Sequence, residues 1–312
     1  MLTALAGGVG AAKFLRGLVE VVPNEDITII VNTGDDIEFH GLHISPDIDI
    51  ITYTLAGLVD ECKGWGINGD TFHCLEMLKT YGHEGWFKLG DRDLATHIHR
   101  TDMLRRGFKL SEVTADISKR LGIRVKIIPM TDDRFETWVL TDAGLMHFQE
   151  FLVKRGSADR VLDVKFFGEE TAQPAPGVIE AIEESEIIIV CPSNPIVSIG
   201  TILSLKGVRG ALKKSEGCKV AISPIVGGRP IKGPADKLMS GIGLEVSAYS
   251  VAKLYADFLN IFVLDKVDEK ERTRIEDLGV SVVVTNTIMR THEDRVLLAG
   301  TVLNEAKKFS KK

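Results

Sequence analysis

Six short, almost unbroken apolar stretches constrain this chain more than any other feature: LTALA (2–6), ITIIV (27–31), IIIV (187–190), VAIS (220–223), IFVL (261–264) and VSVVV (280–284). A strand with one wet face alternates apolar and polar residues, so continuous runs predict strands covered on both sides. Each run ends in a glycine or polar turn, and helix-period segments follow, as in parallel α/β folds. Chemistry in such sheets gathers beyond the carboxyl ends of the strands. Those ends carry Gly7-Gly8-Val9-Gly10, Asn32-Thr33-Gly34-Asp35-Asp36 and Cys191-Pro192-Ser193-Asn194-Pro195.

Residues 64–165 read differently, with helix signals at 71–80, 93–106 and 111–121 and strand-like pieces at 125–128 and 136–140. We expect them to form an inserted, mainly helical cap within a single α/β domain spanning 1–312, closed by a charged amphipathic helix from about residue 293. A net charge of −6 argues against nucleic acid as a partner. The four cysteines (Cys62, Cys74, Cys191 and Cys218) contain no C-x-x-C pair, which excludes common zinc spacings and suits a reducing compartment. The N-terminal MLTALAGG has no basic leader, and no run is long enough to span a bilayer, so the expectation is a cytoplasmic protein without a membrane anchor.

Gly7-Gly8-Val9-Gly10 between a strand and a helix lets backbone N–H groups approach an anion; a plain tight turn is the alternative. The P-loop spacing is absent, and Lys13 stands where a dinucleotide fingerprint has its third glycine. Asp35, Asp36 and Asp49 supply oxygen ligands suited to Mg²⁺. Ser45 or Asp47 reads as a helix cap beside Pro46, which leaves Asp49 as the functional candidate. GWFKLGDRDLATH (85–97) places Lys88, Asp91, Arg92, Asp93 and His97 in one elbow, where the cations can hold an anionic group. Ser193 and Asn194 offer short polar groups. A Gly/Pro loop at 223–239 adds Ser223, Gly227, Gly228, Arg229, Lys232 and Lys237 as a nucleotide or diphosphate clamp. From the residues alone, this is an α/β enzyme for a phosphorylated nucleotide with Mg²⁺.

The ordered set LAGGVGAAKFLRGL, VNTGDD, HGLHISPDID, GWG, KLGDRDLATHI, PMTDD, HFQEF, PSNPIVSIG and SPIVGGRPIKGPADKLM resembles the 2-phospho-L-lactate transferases of coenzyme F-420 biosynthesis, over nearly the whole chain. The resemblance implies a modified Rossmann-like sheet and an Mg²⁺-dependent reaction. A 2-phospholactyl, or in related enzymes a phosphoenolpyruvyl, group would pass from a guanosine diphosphate ester to the ribityl hydroxyl of the deazaflavin Fo, releasing GMP. Asp49, Lys88, Asp91 and His97 would contact Fo. Gly8, Gly10, Lys13, Asn32, Ser193, Asn194, Ser223, Gly227 and Gly228 would hold the nucleotide. Catalysis would fall to Asp49, Lys88 and Arg92, with Asp49 orienting or deprotonating the hydroxyl, and Asp49→Asn would cut turnover without unfolding the protein. Family precedent and the closing helix suggest a homodimer.

Two rival classes share parts of this pattern. A sugar-nucleotide-binding regulator of the gluconeogenesis-factor type has the opening glycine loop, but the complete GDRDLATH and SPDID segments count against it. A nicotinamide-dependent oxidoreductase lacks support, because the third glycine is missing and Asn32-Thr33 ends the second strand where an acid belongs.

Overall fold

A computed structural model describes residues 1–311. Strand β1 (Leu2–Ala6) turns into α1 (Gly8–Leu18), and β2 (Ile27–Val31) follows. The chain then leaves for a hairpin, β3 (Ile37–Phe39) and β4 (Leu42–Ile44), and for α2 (Pro46–Leu55), α3 (His73–Thr80), α4 (Asp91–Arg105) and α5 (Leu110–Arg120). It returns as β5 (Lys126–Pro129) and departs again through β6 (Glu136–Thr141), β7 (Gly144–His147) and β8 (Val161–Phe167). Next come α6 (Val178–Glu183), β9 (Ile187–Val190), α7 (Ile199–Ser204), α8 (Val208–Lys214) and β10 (Cys218–Ile222). A small hairpin, β11 (Ile225–Val226) and β12 (Arg229–Pro230), precedes α9 (Ala235–Gly241) and α10 (Ala248–Tyr255). Last are β13 (Ile261–Asp265), α11 (Arg272–Glu276), β14 (Ser281–Thr285) and α12 (His292–Phe309).

Seven strands form one parallel sheet in the order β14-β13-β10-β9-β1-β2-β5. The apolar runs make physical sense on it. Leu5, Ile30, Ile188, Val190, Phe262 and Leu264 bury into one core with α7, α8 and α10. Their neighbours Ala4, Ala6, Ile29, Ile187, Ile189 and Val263 bury into the opposite core, beneath α1, α2 and α12. Strand periodicity thus sends alternate residues of one run to two different interiors.

The expected α/β architecture with flanking helices is present, and the insertion differs from expectation. The strand-like piece at 125–128 is β5, which pairs with β2 at the sheet edge rather than lying in a cap. The excursion before it is helical, whereas the one after it is a three-stranded antiparallel sheet in the order β7-β6-β8. A lone run such as KIIP cannot show which sheet it joins.

Chain order reverses between β1 and β9, which opens a crevice at their carboxyl ends. Gly10 makes that crevice possible: a Cβ there would stand 2.3 Å from the carbonyl oxygen of Pro192. Gly10→Ala is expected to force the two loops apart, costing about 1–3 kcal/mol. Chemical denaturation checks this, and an unchanged midpoint would contradict the close approach.

Candidate functional site

A cavity of about 1130 Å³ fills the crevice, larger than many drug-sized sites. Part of its wall is cationic. Gly8 has φ +71°, a backbone state suited to glycine, and opens α1 beside Ser193, whose Oγ accepts from the Gly7 N–H at 3.2 Å. Asn194 Oδ1 accepts from the amides of Ile196 and Val197, which fixes the turn after β9. Lys13, Lys232 and Arg290 are in the wall, and Lys13 lies near Lys232. Partial withdrawal from water and then the charge of Lys13 hold the Lys232 ammonium below its usual range. Among the described residues neither lysine forms an ion pair, and Lys232 Nζ reaches only the Lys63 carbonyl, at 3.4 Å, so two like charges stand together as a site for a polyanion.

Next to them lie buried carboxylates. Asn32, at the end of β2, donates to Asp47 Oδ2 at 2.9 Å and accepts from the Gly34 amide and from Thr201 Oγ1. It is enclosed and reaches the cavity through the carboxylates it bonds. Burial outweighs the hydrogen bond from Asn32 and, with the charge of Asp36, pushes the Asp47 carboxyl up to about 7. Burial and then the charge of Asp47 raise Asp35 well above the usual carboxylate range. Asp35 Oδ1 has no protein partner. Asp36 lies outside the lining and accepts from Ser45 Oγ at 2.7 Å, with His43 Nε2 at 3.0 Å. Among the described residues no three His, Cys, Asp or Glu side chains gather in a metal-holding group.

These carboxyls give the ligand-free protein a pH dependence. Asp47 binds its proton more tightly when folded (about 7) than an unfolded Asp does, at about 3.9. Between those values the unfolded state releases a proton that the folded state retains, so this group lowers stability as pH rises through that window. The melting temperature of Asp47→Asn is expected to fall less than that of the wild type between pH 5 and pH 8. Parallel curves for the two proteins would contradict the buried pair.

The third feature is the seam between α2 and α4. Asp49 and Tyr53 sit four apart on α2, and Asp93, His97 and Arg100 share one face of α4. All five are at most 8% exposed. Arg100 meets both oxygens of Asp49, with Nη1–Oδ2 at 3.1 Å and the second contact from Nη2 to Oδ1. His97 Nδ1 lies 3.3 Å from Arg100 Nη1, and its Nε2 lies 3.2 Å from Asp93 Oδ1. The Tyr53 hydroxyl donates to Asp93 at 2.7 Å. Burial would raise Asp93, yet His97, Tyr53 and Arg100 together hold it below the usual carboxylate range. Burial also pushes Tyr53 well up, reinforced by Asp49 and Asp93, so its hydroxyl keeps its proton.

Lys88 joins Asp49 and His97 in the cavity wall, together with Asp93, Trp65, Trp86 and Phe87. Two neighbours in the same elbow do not reach it. Asp91 accepts from Thr71 Oγ1 and from the amides of His73 and Cys74, capping the start of α3. Arg92 donates to the Asn68 carbonyl. Helix phase explains both: α4 begins at Asp91, and positions 91 and 92 point away from the face shared by 93, 97 and 100. Gly227 and Gly228 also lie outside the lining. They turn the hairpin between β11 and β12, where the Gly227 N–H donates to the Asp268 carboxylate. Ser223 reaches the wall. The sequence reading missed Arg100 and Tyr53; the signal was the matching spacing of polar residues on two helices.

Residues 2–297 match a family model described as 2-phospho-L-lactate transferase CofD. A 2-phospho-L-lactate transferase of Methanosarcina mazei is 44% identical over 300 residues, covering 96% of this chain and 98% of the relative. A phosphoenolpyruvate transferase of Streptomyces coelicolor is 46% identical over 285 residues, covering 89% of each. A crystal structure of a UPF0052-family protein from Bacillus halodurans superposes with a TM-score of 0.64 at 16% identity, over 97% of this chain and 98% of that one. That likeness shows the shared fold alone. No helix among the described residues is long and apolar enough to cross a membrane.

Proposed function

The chain belongs to the 2-phospho-L-lactate transferase CofD family, and from that membership we propose that it transfers a 2-phospholactyl or phosphoenolpyruvyl group from a guanosine diphosphate ester to the ribityl hydroxyl of Fo. Relatives named for either group are similarly close, and the proposal covers both. The hydroxyl oxygen attacks the phosphorus bearing the transferred group, the bridging P–O bond breaks, and GMP leaves with that bond's electrons. The hydroxyl proton passes to solvent or to a carboxylate of the wall.

The observation that carries this reading is the make-up of one cavity wall, which joins lysines without an ion pair, the Asp49–Arg100 seam and buried carboxyls that hold their protons. Lys13, Lys232 and the α1 amides would take the diphosphate, whose charge they match. Trp65, Trp86 and Phe87 offer flat apolar surface for the deazaflavin rings. Asp49 would accept from the ribityl hydroxyl, and Lys88 would neutralise charge on the transferring group.

Mg²⁺ fits Asp35 and Asp47: hard oxygen donors crowd there against their own repulsion, and one oxygen lacks a partner. When bound, the ion would neutralise the phosphate oxygens. Asp49, one of the acids first considered as a ligand, already has its charge matched by Arg100. The homodimer stays with the resemblance and the closing helix that suggested it, and the cytoplasmic setting with the N-terminal and apolar-run reading.

The direct test is a fluorescence titration of Fo with Mg²⁺ and GDP present. Saturable binding that weakens at least about tenfold in Lys88→Ala supports the acceptor site. Absence of binding contradicts it.

A further inference from the structure

We propose that Arg100 is the positioning residue of the acceptor end of the cavity: it never touches substrate, and it fixes Asp49 and His97 in the orientations that receive the hydroxyl-bearing chain. The inference rests on the functional reading above. Of the five linked residues in the seam, Asp49, Tyr53, Asp93 and His97 line the cavity and Arg100 does not. Arg100 lies behind them at 1% exposure.

Three of the four contacts made by its terminal nitrogens go to that wall. The two terminal nitrogens meet both Asp49 oxygens, one of them also approaches His97 Nδ1 at 3.3 Å, and the same nitrogen lies 3.5 Å from the His43 carbonyl. Nε has no partner. A guanidinium fork imposes both direction and plane on a carboxylate, which a lysine in its place could not do. Each Asp49 oxygen keeps a lone pair for a ligand hydroxyl, and matched charge means the group offers hydrogen-bond acceptors rather than net charge. Arg100 meets the His97 ring at Nδ1, while Asp93 Oδ1 stands 3.2 Å from Nε2 on the other side without a hydrogen bond. Tyr53 anchors Asp93 in turn. Simple packing does not demand such a group, since a well-fitted apolar pair of similar volume is often as stable as a buried ion pair. Position is the property that the fork adds.

The test compares wild type, Arg100→Met, Arg100→Lys, Asp49→Asn and the double variant Asp49→Asn/Arg100→Met. The readouts are Fo binding by fluorescence and GDP binding by calorimetry. Arg100→Met is expected to weaken Fo about tenfold or more while leaving GDP within about twofold. Arg100→Lys should recover only part of the loss, because it restores charge without the fork. The double variant should bind Fo only slightly more weakly than Asp49→Asn alone, well short of the product of the two single losses, since only His97 is left to position. The double variant removes both members of the Asp49–Arg100 pair, and binding is read per folded molecule, so this last comparison stands even where Arg100→Met fails to fold. Multiplying losses in the double variant, or equal weakening of Fo and GDP, would overturn the role. Wild-type protein that fails to bind Fo would overturn the functional reading itself, whereas wild-type-like Fo binding by Arg100→Met would overturn the role of Arg100 alone.

Discussion

Asp49→Asn is expected to cost about 3–5 kcal/mol of stability as well as about a hundredfold in turnover. The first loss follows from the Arg100 fork. Neutralising Asp49 strands a guanidinium that is 1% exposed and whose partners are otherwise a carbonyl and a histidine nitrogen. Burial alone would draw that group's proton affinity down, and Asp49 is the main reason it stays above the ordinary value. The second loss follows from the place of Asp49 in the cavity wall, beside the face that would receive the ribityl chain. The sequence reading expected Asp49→Asn to spare the fold, and the ion pair revises that. Adding Arg100→Met should restore most of the stability without restoring turnover. Urea titrations and turnover per folded molecule separate the two effects. Turnover near wild type in Asp49→Asn would remove Asp49 from the acceptor site.

Exchanging Lys13 and Lys232 together for Met is expected to weaken GDP binding by about a hundredfold or more, because each charge-assisted contact to phosphate contributes about 1.5–3 kcal/mol. The same change should leave the ligand-free protein as stable as before, or slightly more so. Withdrawal from water and the nearby charge of Lys13 keep Lys232 below its usual range, which means that its charged form is disfavoured when no anion is bound. Opposite signs for affinity and stability are the mark of a binding site that stores repulsion until its ligand arrives. Calorimetric titration with GDP and a melting curve read the two. GDP affinity within about threefold of wild type would exclude these lysines from the diphosphate site.

The sheet was legible in the sequence because burial on both faces leaves a mark that needs no partner: IIIV at β9 is apolar at every position, and ITIIV at β2 at all but Thr28, itself buried. The short β5 left no such mark, and its place beside β2 follows only from long-range pairing. In the elbow at 85–97, composition suggested a cluster of cooperating charges, and helix phase divided it: Asp93 and His97 turn inward, whereas Asp91 and Arg92 serve the α3 cap and the Asn68 carbonyl. Gly227-Gly228 read as a phosphate clamp, yet a glycine pair between two short strands is also a hairpin signal, and φ values of 60° and 74° show the turn it makes. Arg100 escaped notice because HIHRTD looks like a solvated helix face. The packing of α4 against β4 and α5, with the side-chain contacts to α2, buries it.

The most direct measurement incubates the purified protein with Fo, Mg²⁺ and the guanosine diphosphate ester of phospholactate, and follows products by mass spectrometry. The expected result is equal amounts of GMP and of an Fo phosphodiester carrying the lactyl group, accumulating together and dependent on Lys13 and Lys88. Intact donor in the presence of bound Fo, or GMP released with no Fo ester formed, would contradict transfer to the ribityl hydroxyl.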